Sequence, residues 1–339
     1  MLKEKNMKPL ETSPVTETSA ADRVRRSLYS RLPAGVREIL PPLVGLLLLM
    51  AVFFVLAPTF RQWVAMTDIL QNSSVLFIMS TGMTVCLIAG CLDLSVGSIF
   101  ALVSVVAGQL MLDNAPWPLI ILGGLTAGVL CGVINGLIVT KTGVPTLIAT
   151  LGTLQIFRGI ANMLGSGVDM SRFPAAFDLL GKGTWGPVTN SVIAFAIVWF
   201  ILTKTKVGFH AFAIGGNPEV ARLAGIPVNR NKVIYYCICG FMSALSSLVY
   251  TARVDFAHVN RGVSYELWAI AGVVIGGTSM FGGVGGVGKT VIGVLIIRVL
   301  EAGLIHLHVQ SFWQQVAVGV VIIVAVWLDF IQRRAREKA

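Results

Sequence analysis

Apolar residues run through the chain in ten long stretches separated by shorter polar connections. They cover about 39–57, 70–90, 94–112, 117–139, 145–164, 189–204, 231–252, 266–281, 290–306 and 312–331. A helix needs about 20 residues to cross the hydrocarbon core of a bilayer. Most of these stretches approach that length, and some are shorter or broken. The pattern predicts an all-α polytopic membrane protein of about ten transmembrane helices. Residues 1–37 read as a largely disordered amino tail, 38–331 as the transmembrane domain and 332–339 as a short basic tail. Two stretches are interrupted by small residues, Gly90 to Gly97 and Gly276 to Gly286. Interrupted helices at matching places in two halves point to a transporter built from inverted repeats.

Composition agrees with the pattern. Of 339 residues, 55% are hydrophobic and 12% charged, against roughly 25% charged in soluble domains. The 36 glycines suit helices that pack closely in lipid. The net charge of +10 does not point to nucleic acid, because the basic residues lack interleaved aromatics that would stack bases. They sit instead at the chain ends and in the connection 205–232. With Lys141 and Lys204 these regions hold 18 of the 26 Lys and Arg. Ten crossings place all of them on one face, expected to be cytoplasmic. Both termini are then cytoplasmic. The polar stretch 1–37 is too long and mixed for the leading region of a cleavable signal peptide. Cys86, Cys91, Cys131, Cys237 and Cys239 lie in apolar stretches without metal-ligand spacing, so no metal site is expected.

One motif misleads. Gly283 to Thr290 fits the phosphate-binding pattern G-x-x-x-x-G-K-T, and a later apolar run ends in Asp329. That chemistry needs a preceding strand and a soluble α/β domain. Here a membrane segment precedes it, so the segment reads as a Gly-rich turn with Lys289 at the membrane edge. No cofactor is expected in this chain.

The connection of about 205–230 is more informative. Asn217 is a good helix N-cap, and Pro218 suits the first helical position. Glu219 favours the N-terminal end, and Gly225 stops the helix. Residues 218–224 should form a two-turn amphipathic helix on the cytoplasmic face. Such a helix rests on headgroups or docks into a partner.

Here several motifs coincide. Ala213 to Ile226 resembles the coupling segment of ribose-type ATP-binding cassette (ABC) sugar permeases. Gly82 to Ser98, Asn135-Gly136, Pro145 to Gly152, Arg158-Gly159 and Glu266 to Thr278 are similar to further motifs of that family. The resemblance covers about residues 70–330. The family pattern has Asp where Trp268 stands, and its Gly-rich turn lacks a basic residue like Lys289. The resemblance implies a bacterial inner-membrane importer permease that moves a sugar or similar small polar solute from periplasm to cytoplasm. Its implied partners are an ATP-binding cassette ATPase that binds ATP and Mg, a periplasmic sugar-binding protein, a second permease (identical or paralogous) and membrane lipid. It also implies coupling to the ATPase through Gly216, Asn217, Glu219, Ala221, Arg222, Leu223 and Gly225.

A charge at the bilayer centre costs at least roughly 2.5–3.5 kcal/mol and should face protein or a water-filled cavity. Asp93, Ser95, Asn135, Thr150, Thr153, Gln155, Arg158 and Glu266 are therefore candidates to line the substrate pathway. Each could equally hold helices together. No carboxylate pair or assisting His marks a catalytic site, so no enzyme activity is expected. An ion-gradient-driven secondary transporter is the competing reading, with Asp93 as its key residue.

Overall fold

The computed structural model describes residues 34–166, 168 and 170–337, with the side chains of 39–327 and 329–331 among them. Residues 1–33 of the tail expected over 1–37 lie outside the described residues. Two units divide the chain, Met1–Pro41 and Pro42–Ala339. Of the first, only the opening turns of one helix are described.

The helices are α1 (Ala34–Leu56), α2 (Trp63–Ile88), α3 (Val96–Leu112), α4 (Trp117–Thr142), α5 (Thr146–Gly165) and α6 (Trp185–Lys204). They continue with α7 (Lys206–Gly216), α8 (Pro218–Leu223), α9 (Val228–Val254), α10 (Tyr265–Ile275), α11 (Val287–His306) and α12 (Ser311–Glu337). Two-residue strands β1 (Met170–Ser171) and β2 (Phe256–Ala257) pair antiparallel. All ten predicted stretches carry a helix. Seven helices among the described residues are long and apolar enough to cross a membrane. Of the other three, α3 and α10 are short, with 17 and 11 residues. The third, α11, carries Lys289, Arg298 and Glu301.

Three boundaries differ from expectation. The predicted basic tail is helical to Glu337, because no Gly or Pro after Gly319 stops α12. At the other end, α1 begins at Ala34, inside the predicted tail. The third is α7, an extra helix in what reads as a loop. Its glycines argue against a helix locally, but Gly208 packs on the backbone of Ile201 and Leu202, and Thr205 accepts a hydrogen bond from Gly208 N.

The centre of the bundle is α2, buried continuously from Ser73 to Ile88, with α9 beside it. Small and hydroxylated residues make that density possible. On α4, Gly128, Gly132 and Gly136 recur every four residues and face α9. A Cβ on Gly132 would strike the Tyr236 carbonyl, and one on Gly136 the Val233 backbone. Such small-xxx-small stripes let backbones approach. From α9, Ser243, Ser246 and Ser247 donate to the carbonyls of Val96, Val75 and Phe100 at 2.6–2.7 Å. These bonds anchor it to α2 and α3 where no water can substitute.

Candidate functional site

The short helix α8 is built as its sequence dictates. Asn217 is extended at φ −159°, and its Oδ1 accepts from Glu219 N at 3.0 Å and Val220 N at 3.1 Å. These two bonds satisfy amides that a helix start leaves open. Gly225, at φ +80°, takes the left-handed turn that ends it. There Gly225 N donates to Arg222 O and Ile226 N to Ala221 O, each at 3.0 Å. Ala221 is the buried anchor at 3% exposure, whereas Val220 and Leu223 are 60% and 89% exposed. Glu219 and Arg222 pair at 3.1 Å on the surface.

Upstream, α7 ends against both interrupted segments. Gly215 lies so close to the carbonyl of Ile88, at the end of α2, and to Gly283 N that a Cβ there would overlap both. Gly283 N itself donates to Ile88 O at 2.8 Å. The Gly282 and Gly283 backbones rest on Gly215 and Gly216. Thus the break after α2, the Gly-rich turn before α11 and the last turn of α7 share one backbone junction. The phosphate-loop look-alike is part of it. The element directly before it is the helix α10, not a strand. Asp329 accepts from Ser279 Oγ and Met280 N, each at 3.2 Å, and so pins this turn to α12.

The predicted pathway residues fall into three groups. Asp93, Ser95 and Asn135 are all fully buried and meet one another. Asp93 Oδ1 accepts from Ser95 N at 2.9 Å and from Ser95 Oγ at 2.6 Å. Asn135 Nδ2 lies 3.2 and 3.3 Å from the two carboxylate oxygens and 2.7 Å from Ser95 Oγ. This cluster joins the chain break to α4. Arg158 forms the second group. Its guanidinium donates to the carbonyls of Val259, Arg261 and Gly97 at 2.7, 2.9 and 3.1 Å. Glu266 sits beside Gly97 as well, where a Cβ would strike its carboxylate. The third group runs along α5. Thr150 and Thr153 are buried and bond their own helix backbone. Gln155 is exposed, as are Gly152 and Gly159, which have nothing within 4 Å of a Cβ position.

At the end of the bundle opposite α8, the β1–β2 pair zips the connection after α5 to the one after α9. Asp255 reinforces it by accepting from Phe173 N at 2.7 Å. On this exposed surface the Asp178 carboxylate beside Lys182 holds its ammonium above the usual lysine value.

Two features escape a reading of the sequence. The Gly215 junction joins segments far apart in the chain, so no local pattern announces it. The other feature is Arg298, whose local signal is a guanidinium inside an apolar run. It is 4% exposed, pairs with Glu301 and packs over the rings of Tyr265 and Trp268, at 5.3 and 4.8 Å from their centroids. It lines a cavity of about 270 Å³ between α2, α9, α10 and α11 near the strand end.

Comparison with known proteins places these features in context. The sequence model of a family described as "Branched-chain amino acid transport system / permease component" matches residues 65–326. The ribose import permease protein RbsC of Bacillus subtilis is 41% identical over 301 residues, 87% of this chain and 94% of that protein. RbsC of Escherichia coli K12 is 37% identical over 295 residues, 85% of this chain and 92% of its own. The galactose/methyl galactoside import permease protein MglC of Escherichia coli K12 is 37% identical over 318 residues, 87% and 94% of the two chains. No solved structure matches the chain.

Proposed function

The chain belongs to the permease-component family of branched-chain amino acid transport systems, and from that premise we propose that it is the membrane subunit of an ABC importer for a sugar or sugar-like solute. The sugar class rests on the names of its ribose and galactose import relatives. In this reading the chain lies in a bacterial inner membrane with both termini and α8 on the cytoplasmic side. A separate cassette ATPase binds ATP and Mg. A periplasmic sugar-binding protein delivers solute at the strand end, and a second permease, identical or paralogous, completes the pathway.

The observation that carries the coupling role is the placement of α8. It offers exposed Val220 and Leu223 to a partner while Ala221 ties it to the bundle. Its neighbour α7 ends in backbone contact with both interrupted segments. A push on α8 therefore reaches the ends of α2 and α11 without passing through a flexible side chain. Packed backbones shift between discrete arrangements and transmit such motion. Along α5, the exposed Gln155 between Gly152 and Gly159 suits a face turned toward the pathway and the second permease. The Asp93 cluster and Arg158 shape the helix breaks that border it.

The ion-driven alternative draws less support. Its key residue, Asp93, is fully buried and already accepts hydrogen bonds from Ser95 and Asn135.

The test is Leu223→Asp in the reconstituted importer. The side chain is almost wholly exposed, so folding should change by no more than about 0.5 kcal/mol. Co-purification of the ATPase and sugar uptake should both fall sharply. Undiminished uptake, or uptake persisting in membranes without the ATPase, refutes the coupling role.

A further inference from the structure

We propose that the cavity around Arg298 is a low-affinity subsite for an uncharged polyhydroxylated solute at the strand end of the permease. The proposal rests on the sugar-import reading and assigns residues to it.

The geometry has three parts. First, Arg298 stands in the cavity wall with its Nη1 donating to the Glu301 carboxylate, whose side chain is partly exposed beside the cavity. Its guanidinium lies over the rings of Tyr265 and Trp268 and so holds the acceptor and the aromatic side chains in one arrangement. Second, the charges balance. Glu301 faces Arg298, and across the cavity Asp68 faces Arg253 at 2.7 Å, with Arg253 also donating to Asn72 at 2.6 Å. Two guanidinium–carboxylate pairs leave no surplus charge to draw an ion. They do leave donors and acceptors side by side, and a hydroxyl uses both. Third, Tyr265 and Trp268 stack at 5.3 Å between ring centroids, and Tyr250 completes an aromatic wall. Such a wall suits the C–H faces of a sugar ring.

Size agrees. At about 270 Å³, the cavity has room for about nine waters at about 30 Å³ each, and it lies just below the range for drug-sized ligands. Trp268 adds an apolar surface beside Arg298. A site on a transport route should bind weakly, so that solute can leave.

The experiment uses the complete importer in membranes, with Ala302→Cys as a reporter on the cavity wall. Alkylation by an impermeant maleimide is timed with D-ribose, D-galactose or sodium sulfate. The sugar that the importer takes up should slow labelling by at least about threefold once its concentration exceeds twice the dissociation constant. Sulfate should not slow it. Arg298→Gln in the same reporter should abolish the protection. Unchanged labelling with the transported sugar overturns the subsite, as does protection by sulfate alone or protection that survives Arg298→Gln. Should the glutamine variant fail to assemble, the labelling rates in the arginine-containing reporter decide. If the parent importer takes up neither sugar, the sugar-import reading itself fails, a result separate from a failed protection.

Discussion

The two ends of the bundle are built from opposite materials. At the α8 end, Gly215, Gly282 and Gly283 bring backbone against backbone, with Gly283 N bonded to Ile88 O and no room for a methyl group. At the strand end, long side chains face a cavity. Arg298 and Glu301 pair there, and the aromatic rings of Tyr265 and Trp268 stand beside them. A contact that transmits movement gains from having few adjustable parts, because a side chain that changes rotamer would absorb the displacement. A contact that admits a solute needs spare hydrogen-bonding capacity and space. On the proposed function, the contrast divides the labour of a transporter between the ends of one chain, with the buried Asp93 cluster between them.

The junction offers the largest expected effect. Gly215→Ala forces a methyl into the Ile88 carbonyl, and overpacking of this kind typically costs about 1–3 kcal/mol. Gly216 is the internal comparison, since a Cβ there meets nothing within 4 Å. Thermal melting of the purified chain should show a clear loss for Gly215→Ala and a change within about 0.5 kcal/mol for Gly216→Ala. Equal melting of the two variants would mean that the junction is loose, and the contrast between the ends would collapse.

Next comes the cluster between the two ends. Asn135→Leu removes the amide that touches both Asp93 oxygens and leaves the buried carboxylate with fewer donors, chiefly those of Ser95. The expected loss is about 1–3 kcal/mol. Asp93→Asn keeps the shape and should melt closer to the parent chain. If the cluster is structural, uptake follows melting in both variants. Asp93→Asn that melts normally yet abolishes uptake would instead favour an ion-driven mechanism. Parallel melting and uptake curves would show that the cluster serves the fold.

Much of this architecture is legible in the sequence, for a physical reason. A helix in lipid satisfies its backbone within one segment, so each apolar stretch declares itself without its neighbours. The same holds for α8, because Asn217 and Gly225 act on amides and carbonyls a few residues away. The Asp93–Ser95 turn is local too, but its tie to Asn135 is not. Legibility ends where contacts are distant. The helix α7 is hidden by its own glycines, which weaken a helix in isolation and become intelligible only against Ile201, Leu202 and Ile88. Arg298 is conspicuous as a charge in an apolar run, but its partners Tyr265 and Trp268 come from another helix. Thr150 and Thr153 look like pathway hydroxyls in sequence, yet each bonds the carbonyls of its own helix.

The smallest effect on stability belongs to the surface pair Glu219–Arg222, and that makes it the cleanest probe of function. Both side chains are well exposed, and exposed pairs contribute about 0–1 kcal/mol, less in salt. Glu219→Gln and Arg222→Gln should therefore leave the melting temperature almost unmoved. Glu219 also stands in the first turn of α8, where a negative charge is favoured, and Arg222 in the last, where a positive one is. Neutralising either removes that small benefit too, and the sum stays within the same range. A fall in ATP-driven uptake in these variants then cannot come from unfolding. It would identify the charged side of α8 as a surface read by the ATPase. If uptake and ATP hydrolysis both match the parent chain, contact is made through Val220 and Leu223 alone, and the docking surface narrows to its apolar side.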